Sequence, residues 1–240
     1  MTYLDQLAFL FPYRPDYAGT PFLEAPCNAA ALAWLDRTPD WPGGRLALWG
    51  EAGCGKTHML HRWADRLGAD WRHGSDLRGL PDAPARPLAI DDADAAAEEI
   101  ALLHVLNAAS EAGQPVLLTG RAPPARWPVR LPDLASRLRA VTAVPIAAPD
   151  DALLRRLLCQ LLVERRVPVP EPVQEWMLRR LPRQAGAMRE AAALLDRGQL
   201  QAQRTVTRRI AEECLAPLLT GSDEISGSRS QDAAPMTPLL

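Results

Sequence analysis

Gly50, Gly55, Lys56 and Thr57 stand in the spacing G-x-x-x-x-G-K-[ST], inside the run Leu46-Ala47-Leu48-Trp49-Gly50-Glu51-Ala52-Gly53-Cys54-Gly55-Lys56-Thr57-His58. The chemistry open to such residues is phosphate binding. Glycines let the backbone curl so that successive N–H groups converge on one anion. A helix beginning just after them adds unpaired N–H groups and the positive end of its dipole. The Lys56 ammonium can reach β- and γ-phosphates, and the Thr57 hydroxyl can serve Mg²⁺. Lys56 is also the only lysine among 27 basic residues. A compact ammonium and a planar guanidinium are not interchangeable in such a cradle.

A second group of residues suits the same chemistry. Pro87-Leu88-Ala89-Ile90-Asp91-Asp92 is an apolar run ending in two acids. Asp91, at the carboxyl end of a strand, would hold Mg²⁺ through water, and Asp92 would orient or polarise an attacking water. The plainer alternative is a strand end followed by an aspartate helix cap, and the position downstream of Lys56 weighs against it. Pro115-Val116-Leu117-Leu118-Thr119 is another apolar run with a polar end.

These residues need elements to position them. Leu46 to Trp49 predicts a buried strand and Thr57 to Leu67 the helix after it, the setting a phosphate loop requires. Ala69 to Arg72 predicts a short strand, Ala95 to Ala112 a long helix ended by Gly113, Leu131 to Leu138 a short helix, and Val141 to Ile146 a last strand. Residues 28–36 predict a helix with Asn28 as its N-cap. Alternating β and α with apolar strands implies an α/β fold: a parallel sheet covered on both faces. Ligands then sit at the carboxyl ends of the strands, where Gly50, Asp91 and Thr119 all fall. From Asp150, a helix cap, only helices are predicted: Asp151 to Arg166, Val173 to Leu181, Gln184 to Arg197 and Arg208 to Leu219. The organisation expected is an arm (1–26), a nucleotide-binding domain (27–148), a small helical domain (149–219) and a disordered tail (220–240).

Composition narrows the class. A net charge of −2 supplies no global basic field for nucleic acid. Cys27, Cys54, Cys159 and Cys214 are widely spaced without a C-x-x-C, which argues against a zinc site or disulfide framework and fits a reducing cytoplasm. No signal-peptide pattern and no apolar run of transmembrane length is found. His58, His61 and His104 read as ordinary helix residues. In the arm, Gln6-Leu7-Ala8-Phe9-Leu10-Phe11 is an apolar hexapeptide led by glutamine. It could dock in a partner's groove, or Phe9 and Phe11 could pack on the chain's own core, which by residue type alone is the simpler choice.

A phosphate-loop αβα domain followed by a helical lid resembles the AAA+ ATPases. Gly53-Cys54-Gly55-Lys56-Thr57-His58, Ile90-Asp91-Asp92, Leu117-Leu118-Thr119 and Leu131-Pro132-Asp133-Leu134-Ala135-Ser136-Arg137-Leu138 are similar to the replication initiator DnaA and, within that group, to the shortened regulatory inactivators Hda. The resemblance runs over roughly residues 4–218. It implies that residues 50–58 bind ADP or ATP with Mg²⁺, and that Arg137 is an arginine finger directed at ATP held by a neighbouring AAA+ subunit. Arg183 would be the lid arginine that touches the bound nucleotide, and Thr119 would lie near sensor I, where this chain continues Gly120-Arg121 rather than Ser-Asp. Gln6, Leu7, Phe9 and Phe11 would bind the replicative sliding clamp, with Phe9 where the motif usually has an aliphatic residue. The implied activity is negative regulation of chromosomal replication initiation, by stimulating hydrolysis of DnaA-bound ATP. DNA would be met only through the clamp, since no basic helix-turn-helix domain follows the lid. The alternative is a self-oligomerising, helicase-loader-like ATPase that hydrolyses its own ATP.

Overall fold

The computed structural model describes residues 22–202 and 205–220. The hexapeptide Gln6 to Phe11 and the tail from residue 221 lie outside the described residues. Helix α1 (Ala29–Leu35) leads into β1 (Arg45–Trp49), α2 (Lys56–Leu67), β2 (Asp70–His73), β3 (Leu88–Asp91), α3 (Glu99–Glu111), β4 (Val116–Gly120), α4 (Pro132–Arg139) and β5 (Thr142–Pro145). The strands form one parallel sheet in the order β2-β3-β4-β1-β5.

Side chains alternate across a strand, and here both faces are apolar. Leu46 and Leu48 of β1, with Leu117 of β4, pack against Ala31 and Leu35 of α1 and Met59, Leu60 and Trp63 of α2. Ala47, Ile90, Val116 and Leu118 pack on the other face against α3 and α4 through Val105, Leu106 and Leu134. The near-continuous apolar strands follow from this double burial.

Four helices complete the described residues: α5 (Asp151–Glu164), α6 (Glu171–Arg180), α7 (Ala185–Ala202) and α8 (Arg208–Thr220). Leu158, Leu161, Met177, Met188, Ala191 and Leu215 share their separate core. Asp150 caps α5, accepting a hydrogen bond from the Leu153 N–H at 2.7 Å. Asp150→Ala is expected to lower unfolding free energy by about 1 kcal/mol, read as a shift in the denaturant midpoint at unchanged slope. Among the described residues no helix is long and apolar enough to cross a membrane.

Two local expectations are corrected. Asn28 does not cap α1. Its Oδ1 accepts from the Ala25 N–H at 3.0 Å and its Nδ2 donates to the Leu23 carbonyl at 3.0 Å, so it fastens the preceding turn. The long helix begins at Glu99 rather than Ala95. Ala93–Ala95 form a 3₁₀ turn after Asp92, which sits in the left-handed region with φ +46°. The Ala97 N–H is taken by the Gly74 carbonyl, which pulls this segment off the helical path.

Candidate nucleotide site

The loop between β1 and α2 has the shape its glycines allow. A side chain at Gly50 would meet the Ile146 carbonyl oxygen at 2.4 Å, where the ends of β1 and β5 come together. Gly55 holds φ +105°, a conformation L-residues rarely adopt, as α2 begins. Lys56 is buried, and its Nζ donates to the carbonyls of Gly50 (2.8 Å) and Glu51 (2.9 Å), so the ammonium is fixed against the loop it serves.

Beside it the expected acids and hydroxyls form one network. Thr57 Oγ1 donates to Asp91 Oδ2 at 2.9 Å. Thr119 Oγ1 donates to Asp91 Oδ1 at 2.6 Å and accepts from the Asp92 N–H at 2.9 Å. Asp91 is 4% exposed and Thr119 is fully buried. Thr119 therefore works from beneath, fixing the Asp91 carboxylate and the Asp92 backbone. Asp92 lines the open cleft with Lys56 and Thr57. His73, last in β2 and opposite Asp91 in the strand register, brings Nε2 to 3.4 Å from Asp92 Oδ2. Its Nδ1 is 2.8 Å from Ser75 Oγ. Sequence reasoning missed His73, because its position beside Asp92 comes from the pairing of β2 with β3. The set fits its expected guests: a hydroxyl and a carboxylate at Thr57 and Asp91 are hard oxygen donors of the kind Mg²⁺ takes, and the curled loop and the start of α2 present N–H groups to an anion.

The cleft over this network has a volume of about 250 Å³. Ala52, Gly53, Gly55 and His58 contribute to it from the loop and α2. Cys54 instead lines a small adjoining cavity of about 40 Å³ with Phe22, Leu23, Pro149, Leu153 and Leu157, a largely apolar setting beside the loop. The helical region closes both spaces. The Ala185 N–H donates to the Gly53 carbonyl at 3.3 Å, and Arg189 Nη2 lies 3.0 Å from His58 Nδ1. His58 also meets Phe22 edge-on, with ring centroids 5.2 Å apart.

Arg183 does not reach this cleft. The Gln184 N–H bonds the Pro182 carbonyl, and in this turn the exposed Arg183 side chain lies against Asp151, Nη2 to Oδ1 2.5 Å. The lid arginine that lines the cleft is Arg189, one helical turn beyond Ala185 on the face of α7 that meets the loop. The only sequence signal for it was that i, i+4 placement. Arg121, expected only as a departure from the Ser-Asp pattern, also lines the cleft.

Arg137 is somewhere else. It lies on α4, whose Leu134 and Leu138 are buried against the α3 side of the sheet. Arg45 opens β1, and its guanidinium is pushed below its ordinary value, first by burial and then by the positive charge of Arg137. At about 3.3 Å per residue, Arg45 stands about 13 Å from the Trp49 end of its strand. Helix α4 ends just before β5, whose first residue Thr142 pairs with Leu46 near the start of β1. Arg137, in the last turn of α4, is thus at the rim opposite the phosphate loop, half-buried and without a carboxylate partner among the described residues. Glu99 on α3 fixes the entry to α4 by accepting the N–H groups of Arg130 (2.9 Å) and Leu131 (2.8 Å). Those two bonds, Arg130 first, hold its carboxyl below the usual range. A depressed value means the tether is intact above the ordinary carboxylate range and is lost only as pH falls through the lowered one.

No protein-family model matches the chain. Domain III of the Thermotoga maritima replication initiation protein DnaA superposes with a TM-score of 0.72 at 18% identity, over 87% of this chain and 99% of that structure. AMPPCP-bound DnaA from Aquifex aeolicus superposes with a TM-score of 0.59 at 14% identity, over 82% of this chain and 67% of that one. The Thermotoga maritima RuvB Holliday junction branch migration motor gives 0.56 at 18% identity, over 72% and 61%. The chain spans nearly all of the isolated domain but about two thirds of the longer DnaA and RuvB structures. The fold is similar to that of DnaA domain III and of RuvB: a parallel five-stranded sheet covered by helices, followed by a helical C-terminal part.

Proposed function

We propose that this chain binds an adenine nucleotide in the cleft between the phosphate loop and α7 and acts as a negative regulator of chromosomal replication initiation, in the manner of the Hda inactivators. The phosphates would lie on residues 50–58 with Arg189 above them, and the base would enter the apolar cavity beside Cys54 and Phe22. Mg²⁺, held by Thr57 and Asp91, would neutralise phosphate charge. Gln6 to Phe11 would tether the chain to the DNA-loaded sliding clamp. Arg137 would then be presented to ATP held by DnaA, where a guanidinium stabilises the charge of the loose transition state. The product is ADP-bound, inactive initiator.

The observation that carries this reading is the separation of Arg137 from the chain's own phosphate loop. A guanidinium at the opposite rim of the sheet cannot serve the local cleft, but it can serve one on a neighbouring molecule. The test is loss of ATP from DnaA incubated with this chain and DNA-loaded clamp. Gln6→Ala is expected to abolish capture on immobilised clamp and to reduce that loss to the clamp-free level. Unchanged capture would return the hexapeptide to the chain's own packing.

A second reading has its own support: Thr57, Asp91, Thr119, Asp92 and His73 form a complete network beside Lys56, as an ATPase that turns over its own ATP in a homo-oligomer would need. Steady-state turnover by the purified chain alone separates the two. Robust hydrolysis abolished by Lys56→Ala favours the motor, and turnover appearing only with DnaA and clamp favours the regulator.

A further inference from the structure

We propose that Arg45 and Arg137 together form a seat for phosphate oxygens at the rim opposite the loop, so that a triphosphate held by a partner is met there by two guanidiniums; that the triphosphate is DnaA's rests on the regulator reading above, while the seat itself does not. Two elements bring the pair to one face. Side chains alternate along β1, with Leu46 and Leu48 on the α2 side and Ala47 on the α3 side. Arg45 shares the parity of Ala47, and its Nη2 donates to the Leu106 carbonyl of α3 at 3.1 Å. Helix α4 packs in the same apolar cluster through Leu134 and Leu138. Its last turn closes with the Ala140 N–H on the Arg137 carbonyl at 3.1 Å and the Val141 N–H on the Leu138 carbonyl at 3.3 Å. Thr142 follows at once and pairs with Leu46. The turn that carries Arg137 thus stands beside the start of β1, and the positive charge of Arg137 bears on Arg45.

The chemistry of the pair suits an anion. Both residues are half-buried. Among the described residues neither guanidinium has a carboxylate within ion-pair distance. Each then makes the other's charge more costly, and burial adds to that cost at Arg45. The surrounding protein offers little relief. The Leu106 carbonyl takes one N–H of Arg45, while a guanidinium carries several more donors. Leu134 and Leu138, on either side of Arg137, are apolar. Phosphate oxygens bring negative charge and paired acceptors that match the planar fork of a guanidinium. A chain of phosphates can give one oxygen pair to each arginine. Arg45 is the anchored member, carried by a strand and tied to Leu106. Arg139, in the same helical turn as Arg137, is exposed and lies two residues on, where side chains do not share a face. It serves as the control for simple net charge.

The test has two arms. In the first, inorganic tripolyphosphate is titrated into the full chain with its own cleft saturated by ADP, and binding is followed on the Nε–H NMR signals of Arg45 and Arg137. Both signals are expected to shift together. Arg45→Met keeps the apolar stem and drops the charge, and is expected to weaken tripolyphosphate about tenfold or more. Arg45→Lys is expected to fall between, since it keeps charge without the fork. Arg139→Ala is expected to change the affinity by less than about twofold, as an exposed charge is screened. Retained ADP binding is the control for folding. Unchanged affinity in Arg45→Met, or an equal fall in Arg139→Ala, overturns the seat. In the second arm, loss of ATP from DnaA on DNA-loaded clamp is measured with the same variants, and Arg45→Met is expected to slow it about tenfold or more. A fall in the first arm without one in the second overturns DnaA's triphosphate as the guest and leaves the phosphate seat standing. No stimulation by the unmodified chain overturns the regulator reading, and the first arm still decides the seat.

Discussion

Arg137→Ala is expected to retain clamp capture and nucleotide binding and to lose at least about a thousandfold of the stimulated hydrolysis on DnaA. An arginine finger contributes about 10³ to 10⁵ in rate, and a thousandfold corresponds to about 4 kcal/mol of transition-state stabilisation. The structure gives reasons to expect a clean loss. Arg137 is far from Lys56, so the local cleft is untouched. Its α4 neighbours Leu134 and Leu138 carry the burial, and the Glu99 bonds that fix the start of α4 do not involve it. Arg137→Lys is expected to recover only a small part, because the ammonium cannot bridge two phosphate oxygens in one plane. Single-turnover loss of labelled ATP from DnaA is the measurement, and full stimulation by Arg137→Ala would remove the finger assignment.

Lys56→Ala is expected to produce the largest loss of nucleotide binding, about a hundredfold, as charge-assisted bonds to phosphate disappear. The same side chain donates to the Gly50 and Glu51 carbonyls, so the loop also loses an internal clasp. The check is thermal unfolding with and without ligand. At a hundred times the dissociation constant, a bound nucleotide adds about 2.7 kcal/mol to the stability of the native chain. The unmodified chain should show the corresponding rise in Tm and Lys56→Ala almost none at the same concentration. Equal rises in both would place the nucleotide elsewhere. Lys56→Arg should not restore the rise, since the clasp needs a compact donor between two carbonyls.

Much of the site is written in short segments of chain. The spacing from Gly50 to Thr57, the apolar run ending in Asp91 and Asp92, and the run ending in Thr119 are each local patterns. They fix the element type and the chemical kind of its terminal residues, and parallel pairing of the strands then brings those ends to one rim. The stop at Asp150 and the leucine spacing of α5 are local in the same sense.

Tertiary structure decided which of many arginines enters the cleft. Twenty-seven basic residues offered little to choose between, lysine apart, because a guanidinium is long and its direction depends on turns and neighbours. The Pro182–Gln184 turn leaves Arg183 on Asp151, the packing of α7 on the phosphate loop brings Arg189 in, and the strand order puts Arg121 beside Asp92. His73 meets Asp92 only because β2 pairs with β3, and α3 starts late only because the Gly74 carbonyl holds the Ala97 N–H. Sequence by itself determined the G-x-x-x-x-G-K-T spacing between a strand and a helix, an acidic strand end and an αβα sheet, since those follow from residues a few positions apart. Which cations face the guest, and which one faces away from it at the opposite rim, depends on contacts between residues distant in the chain, and only the folded arrangement of the strands and α7 supplies them.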